Sequence, residues 1–224
     1  GHEIGSHSNR HLWINKMTEQ EFAEDTRIAI QEIEYLIGQK VKSFRAPAFS
    51  IGKDNAWAFE VLVDNGIEYD CSIFPTNRDF GGFPQFTSSV PSLVKKRDYT
   101  IKEFPICPAT LLGRGIPFSG GGYFRLVPLW LQKKLINRMD YVMFYFHIND
   151  LIEQNSKFMT KQEFEEYFKE PGTLKNRITR YVKTNIGKGG ALNKLDTLLG
   201  NYSFCNVQQA AESIDWSKQP LIEL

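Results

Sequence analysis

The chain has 224 residues, 42% of them hydrophobic and 13% aromatic, enough to bury one sizeable core and unlike the composition of a disordered or fibrous chain. Its 27 Lys and Arg stand against 26 Asp and Glu, a formal net charge of +1, so no global field draws it to nucleic acid or a membrane surface, and a neutral partner is expected. Three cysteines, Cys71, Cys107 and Cys205, with no C-x-x-C spacing, argue against a disulfide framework and a cysteine zinc site; buried free thiols are expected. The longest apolar runs, 126–131 and 142–146, are far too short to span a bilayer, no signal peptide is legible, and a cytoplasmic protein is the expectation.

Residues 1–6 read as a short strand entered in its middle, which predicts an element upstream of Gly1. Thr18-Glu19-Gln20-Glu21 is a capping box, and Phe22, Ala29, Ile30, Ile33, Leu36 and Ile37 follow at helical spacing up to Gly38. A strand over 41–45, a helix over 56–63 stopped by Asn65-Gly66, and a strand over 69–73 come next. A loop rich in Pro, Gly and Ser covers 75–91, a strand 99–104, and an irregular connection 105–122. The pattern continues with a helix over 129–137 and a fully apolar strand over 141–146 that ends at His147. Beyond 150 it turns helical, over 161–168, 174–184, 192–199 and 207–213. Strand alternating with helix predicts a mostly parallel α/β sheet or barrel over 1–150 with a helical extension over 151–224 packed on the same domain.

In such a fold the strand C-termini share one face, which would gather His7, His11, Arg45, Asp70 and His147. His7 and His11 are four residues apart, a spacing that on one helical turn lets two imidazoles close on a single divalent ion, although the Glu of an H-E-x-x-H motif is absent. For an isolated pair a surface turn is the plainer account, and only the position after a strand favours metal. Arg45 and Asp70 have as ready an account as a structural ion pair, and a His closing an apolar strand is more often a hydrogen-bonded core residue than a catalyst. Trp13, Phe49, Tyr123, Phe124 and Trp130 offer flat faces to sugar rings, or simply fill the core. Gly187-Lys188-Gly189-Gly190 lacks the spacing and hydroxyl of a P-loop, and Ser119-Gly120-Gly121 is not a G-x-S-x-G elbow. From Lys169 to Lys194 seven Lys and Arg stand against one Glu, which reads as a solvated face.

Taken in order, His7-Ser8-Asn9-Arg10-His11, Arg45-Ala46-Pro47-Ala48-Phe49, Tyr69-Asp70-Cys71-Ser72 and Phe144-Tyr145-Phe146-His147 resemble the polysaccharide deacetylases, the NodB-homology carbohydrate esterases. Gly120-Gly121-Gly122-Tyr123-Phe124-Arg125 and the helical tail look like the subgroup encoded with exopolysaccharide export systems. The resemblance implies a distorted (β/α) barrel, here without its first strand, and a divalent metal, zinc first, held by His7 and His11. It implies an acidic ligand and a general base on the strand upstream of Gly1, with Arg45 orienting that base, Asp70 holding Arg45, and His147 protonating the departing amine. Pro47 would set the loop that supports Arg45, and Pro47, Phe49 and Tyr123 would meet substrate. The reaction implied is hydrolysis of N-acetyl groups on amino sugars of a polysaccharide or oligosaccharide, with little activity from these residues alone. Two other readings are a carbohydrate-binding or scaffolding domain without catalysis, and a metal-dependent hydrolase of small amides.

Overall fold

A computed structural model describes residues 2–77, 81–111, 114–152, 157–168 and 170–224. Gly1 of the expected first strand, positions 78–80 and 112–113 of the two expected loops, and Lys169 of the basic run lie outside these. The chain forms two compact units, Gly1–Gly115 with Cys205–Leu224, and Ile116–Phe204, whereas the sequence pattern suggested a division near 150.

The first unit is built on helix α1 (Glu19–Ile37), which starts where the sequence says it should. The Thr18 hydroxyl accepts from the Glu21 N–H at 3.2 Å, and the Glu21 carboxylate accepts from the Thr18 N–H at 2.8 Å, so two otherwise orphaned donors are satisfied. Gly38 ends the helix in the left-handed region, φ 67°, with its N–H on the Glu34 carbonyl at 2.9 Å. After α1 come β1 (Ser43–Phe44), α2 (Ala58–Asp64), β2 (Tyr69–Asp70), β3 (Ser92–Lys96) and β4 (Tyr99–Glu103). The 105–122 connection is less irregular than expected, because β5 (Ala109–Leu111) pairs with β6 (Arg114–Ile116).

Five strands form one sheet in the order β1-β2-β4-β3-β7, where β7 (Leu221–Glu223) is supplied from near the C-terminus. Neighbours are parallel except β3 with β4, a hairpin whose first strand was not expected from the sequence. Among the described residues β1 and β7 are the outermost named strands of this sheet. The two strands expected over 41–45 and 69–73 shrink to two residues each, since past Phe44 and Asp70 the backbone hydrogen bonds turn to side chains and loops. Among the described residues of the strand expected over 1–6, Ser6 alone makes a bridge, parallel to Phe44. α1 packs on α2 and α2 on β4, with Phe22, Phe44, Phe59 and Leu62 sealed from solvent in the core.

The second unit carries α3 (Gly121–Leu126), α4 (Leu129–Ile136), α5 (Ile148–Leu151), α6 (Lys161–Phe168), α7 (Leu174–Asn185) and α8 (Ala191–Leu199); α9 (Val207–Ser213) belongs to the first. The strand expected over 141–146 is not formed: only Tyr145 bridges, to Gly120. The apolar run instead feeds an aromatic cluster, with Phe144 and Phe146 edge-on to Phe124 at 6.3 and 4.8 Å and Phe144 against Phe204 at 5.3 Å. Gly120 is needed at the bridge because a Cβ there would collide with the Tyr145 ring. Lys194 caps α3 by donating to the carbonyls of Phe124, Arg125 and Val127 at 2.8–3.1 Å, and burial lowers its pKa.

Phe22 touches the Phe44 and Trp57 rings at 5.8 and 6.0 Å, tying α1 to β1 and to the start of α2. Phe22→Ala should therefore cost about 3–5 kcal/mol, read from the urea midpoint at constant slope. A loss below about 1 kcal/mol would contradict the packing described.

Candidate active site

Ser6, Phe44, Asp70 and Glu103 lie in register, one row across the sheet, and the site residues are those one or two steps beyond it. His7 follows Ser6, Arg45 follows Phe44, and Cys71 and Ser72 follow Asp70. The Arg45 N–H donates to the Ser6 carbonyl at 3.0 Å, which puts His7 beside Arg45. His7 Nδ1 then meets the Arg45 carbonyl oxygen at 2.6 Å. Donation to a carbonyl fixes the proton on Nδ1 and assigns Nε2 as the ring's ligand nitrogen.

His11 is not one helical turn on. Ser8 and His11 adopt φ 69° and 56°, so a left-handed loop, not a helix, brings the second ring back. The His7 and His11 rings nevertheless meet edge to face with centroids 5.0 Å apart, and both side chains are exposed. Non-glycine residues in this region cost on the order of 1–3 kcal/mol each and persist where surrounding contacts impose them. The Ser8 hydroxyl accepts from the His11 N–H at 2.9 Å, and the buried Asp25 carboxylate on α1 accepts from the N–H groups of Asn9 and Arg10 at 2.8 and 3.2 Å. The two imidazoles fit a divalent ion as a pair of neutral nitrogen donors. Among the described residues no group of three or more His, Cys, Asp or Glu is placed to complete the site.

Arg45 and Asp70 are not joined as a guanidinium–carboxylate fork. Arg45 Nε donates to the Cys71 carbonyl at 3.2 Å, and its guanidinium lies 6.0 Å from the centre of the Phe49 ring. Asp70, fully buried, is held instead by Ser72, whose hydroxyl donates at 2.6 Å and N–H at 3.2 Å. The same Ser72 oxygen accepts from the Ala46 N–H at 2.7 Å, so the link from Asp70 to the Arg45 segment runs through Ser72. Glu103, directly opposite Asp70 and equally buried, accepts from the Ile73 N–H at 3.1 Å. Burial raises the pKa of both carboxyls, and the Asp70 charge drives Glu103 further up. Pro47 is buried, with its carbonyl on the Ser50 hydroxyl at 2.6 Å. Phe49, 6% exposed and edge-on to Phe74 at 5.3 Å, props Arg45 and offers no open face. Burial pushes the Cys71 thiol up to about 12, Cys107 is buried too, and Cys205, against expectation, is exposed.

In the second unit His147, at 70% side-chain exposure, caps α5. Its N–H donates to Asp150 at 3.0 Å, and its Nδ1 lies 3.5 Å from the same carboxylate oxygen, Oδ2. Arg125, buried at 3%, stands 3.5 Å from the other oxygen and donates to the Lys183 and Thr184 carbonyls at 2.8 and 2.7 Å. Burial pushes Asp150 up, but the His147 ring and N–H and the Arg125 charge outweigh it and leave the carboxyl below its ordinary value. Tyr123 and Trp130 are 42% and 67% exposed, while Phe124 is sealed in the core.

Asp25, Glu103 and Asp150 escaped the reading of the sequence, yet each left a trace. Asp25 sits among the apolar positions of α1, Glu103 shares an inward face with Ile101 on β4, and Asp150 stands at capping-box spacing from His147.

Residues 1–69 match the model of the polysaccharide deacetylase family, and residues 71–212 match that of DUF3473, a domain of unknown function. No curated protein matches the chain. A crystal structure from Mycobacterium smegmatis, assigned as a polysaccharide deacetylase, matches all of the chain with a TM-score of 0.58 at 15% identity. The Puue allantoinase matches 95% of it with a TM-score of 0.45, also at 15% identity. The chain spans 66% of the first structure's length and 58% of the second's.

A carboxyl whose folded pKa is raised stabilises fully below its unfolded value, and that contribution is lost as pH climbs towards the folded value. Glu103→Gln should therefore gain on the native protein in urea unfolding as pH rises above the ordinary Glu value of about 4.3. A stability difference that does not change with pH would contradict the raised pKa of the Glu103 carboxyl.

Proposed function

We propose that this chain, which belongs to the DUF3473 family and matches the polysaccharide deacetylases over residues 1–69, serves metal-dependent hydrolysis of N-acetyl groups on the amino sugars of an exopolysaccharide. The observation that carries this is the His7–His11 pair, ring on ring at 5.0 Å, at the strand ends where open α/β sheets place their ligands. The donor set, two neutral imidazoles and no thiolate, suits zinc or a similar ion. Such an ion would be held by His7 and His11 and would supply Lewis acidity for polarising an acetyl carbonyl and activating water.

The chain's own residues do the rest. His7, tied to the Arg45 carbonyl, keeps one tautomer, so its ligand nitrogen is preset. Arg45, braced by the Cys71 carbonyl and the Phe49 ring, presents a guanidinium that can hold a carboxylate ionised and aimed. In the second unit, taken by itself, Asp150 holds the His147 ring and the Arg125 charge faces Asp150, an arrangement suited to a general acid. Tyr123 and Trp130, exposed on α3 and α4, offer apolar faces to sugar rings.

A second reading, a carbohydrate-binding domain without catalysis, draws on the two-ligand character of the site among the described residues. One experiment separates the readings. In the protein as its complete gene encodes it, loaded with zinc, acetate should be released from N-acetylglucosamine oligomers, and His11→Ala should slow release by at least about a thousandfold. Undiminished turnover in His11→Ala defeats the metal reading, and oligomer binding without acetate release favours the second.

A further inference from the structure

The loop between the two histidines is anchored by one residue of α1. The face that α1 turns inward carries Phe22, Thr26, Ala29 and Ile30, and among them the Asp25 side chain, which is 0% exposed. A carboxylate in that position is costly unless donors surround it. All three of its donors come from the segment between His7 and His11: the Asn9 N–H on Oδ2 at 2.8 Å, and the Arg10 N–H and Nε–H on Oδ1 at 3.2 and 2.9 Å. Two independent tethers therefore hold the pair. His7 is fixed to the end of β1 through the Arg45 carbonyl, and the turn leading to His11 is fixed to α1 through Asp25.

We infer that Asp25 is a positioning residue for the histidine pair: through the backbone of Asn9 and Arg10 it imposes the left-handed turn that returns the His11 ring onto His7. The inference rests on the reading of that pair as metal ligands and extends it to a residue that touches neither ring. Without Asp25, two amides lose their acceptor, the Ser8 hydroxyl on the His11 N–H is left to hold φ 69° at Ser8 and 56° at His11, and the loop relaxes. His7 keeps its tether, so the loss is of chelation by two rings and not of the first ligand.

The test uses this chain, zinc chloride as the probe and a chromophoric chelator as competitor. Asp25→Asn keeps the volume and offers only one acceptor atom. It should bind zinc about 10–100-fold more weakly than wild type, the usual effect of removing a group that orients a ligand. Ile30→Ala, a cavity on the same buried face, serves as the stability control and should leave zinc affinity unchanged. In the metal-free chain, Asn9 and Arg10 amide exchange should quicken at least about tenfold in Asp25→Asn while α1 keeps its helical circular dichroism. Should Asp25→Asn fail to fold, Arg10→Ala removes one donor from a side chain that is 55% exposed and should weaken zinc about threefold. Equal affinity in Asp25→Asn and wild type, or equal losses in Asp25→Asn and Ile30→Ala, overturns the inference. Wild-type chain that takes up no zinc overturns the metal reading instead, and unchanged amide protection in Asp25→Asn then overturns the positioning role by itself.

Discussion

Everything proposed for this chain depends on a lateral register. Ser6, Phe44, Asp70 and Glu103 stand in one row across four neighbouring backbones, so the residue after each of the first three emerges at the same edge. A slip of one residue in any pairing would turn that strand's side chains to the opposite face and send His7, Arg45 or Asp70 into the wrong layer. The register is held from below by Phe44 and Phe22 in the core. From above it is held by polar contacts that bridge adjacent strand ends: His7 to the Arg45 carbonyl, Arg45 to the Cys71 carbonyl, and Ala46 through Ser72 to Asp70.

Those contacts explain why the strands are so short. At the edge the backbone groups of Ala46, Ser72 and Ile73 turn to side-chain acceptors, which ends the ladder and frees the loops to carry function. The sheet edge is served by two buried acids, Glu103 and Asp25, by different means. Burial and the neighbouring Asp70 charge raise the pKa of one, and the other is wrapped by donors from the loop it organises.

The legible parts of the sequence were those governed by local rules. The Thr18–Glu21 capping box and Gly38 set both ends of α1, and Asn65-Gly66 stopped α2 within a residue of the expected place. What long-range pairing decides was not legible: β3 and β7 are named as strands only by their partners, and residues 141–146 have strand composition yet pack as an aromatic cluster. For the candidate site, the His7, Arg45 and Asp70 segments do come together at one edge of the sheet, but their geometry departs from spacing. His7 and His11 meet through a left-handed loop where spacing suggested a helical turn, Asp70 is claimed by Ser72 and Glu103 where chemistry suggested Arg45, and Phe49 is a buried prop. Side-chain partners distant in sequence decide each of these, and no local pattern encodes them.

The central claim is that His7 and His11 are the nitrogen half of a metal site. Crystals of the zinc-soaked protein, measured at the zinc absorption edge, test it directly. The account predicts an anomalous peak about 2.0–2.1 Å from a ring nitrogen of both His7 and His11, with the His7 Nδ1 contact to the Arg45 carbonyl retained. A peak elsewhere on the surface, or two rings swung apart with none between them, would contradict it.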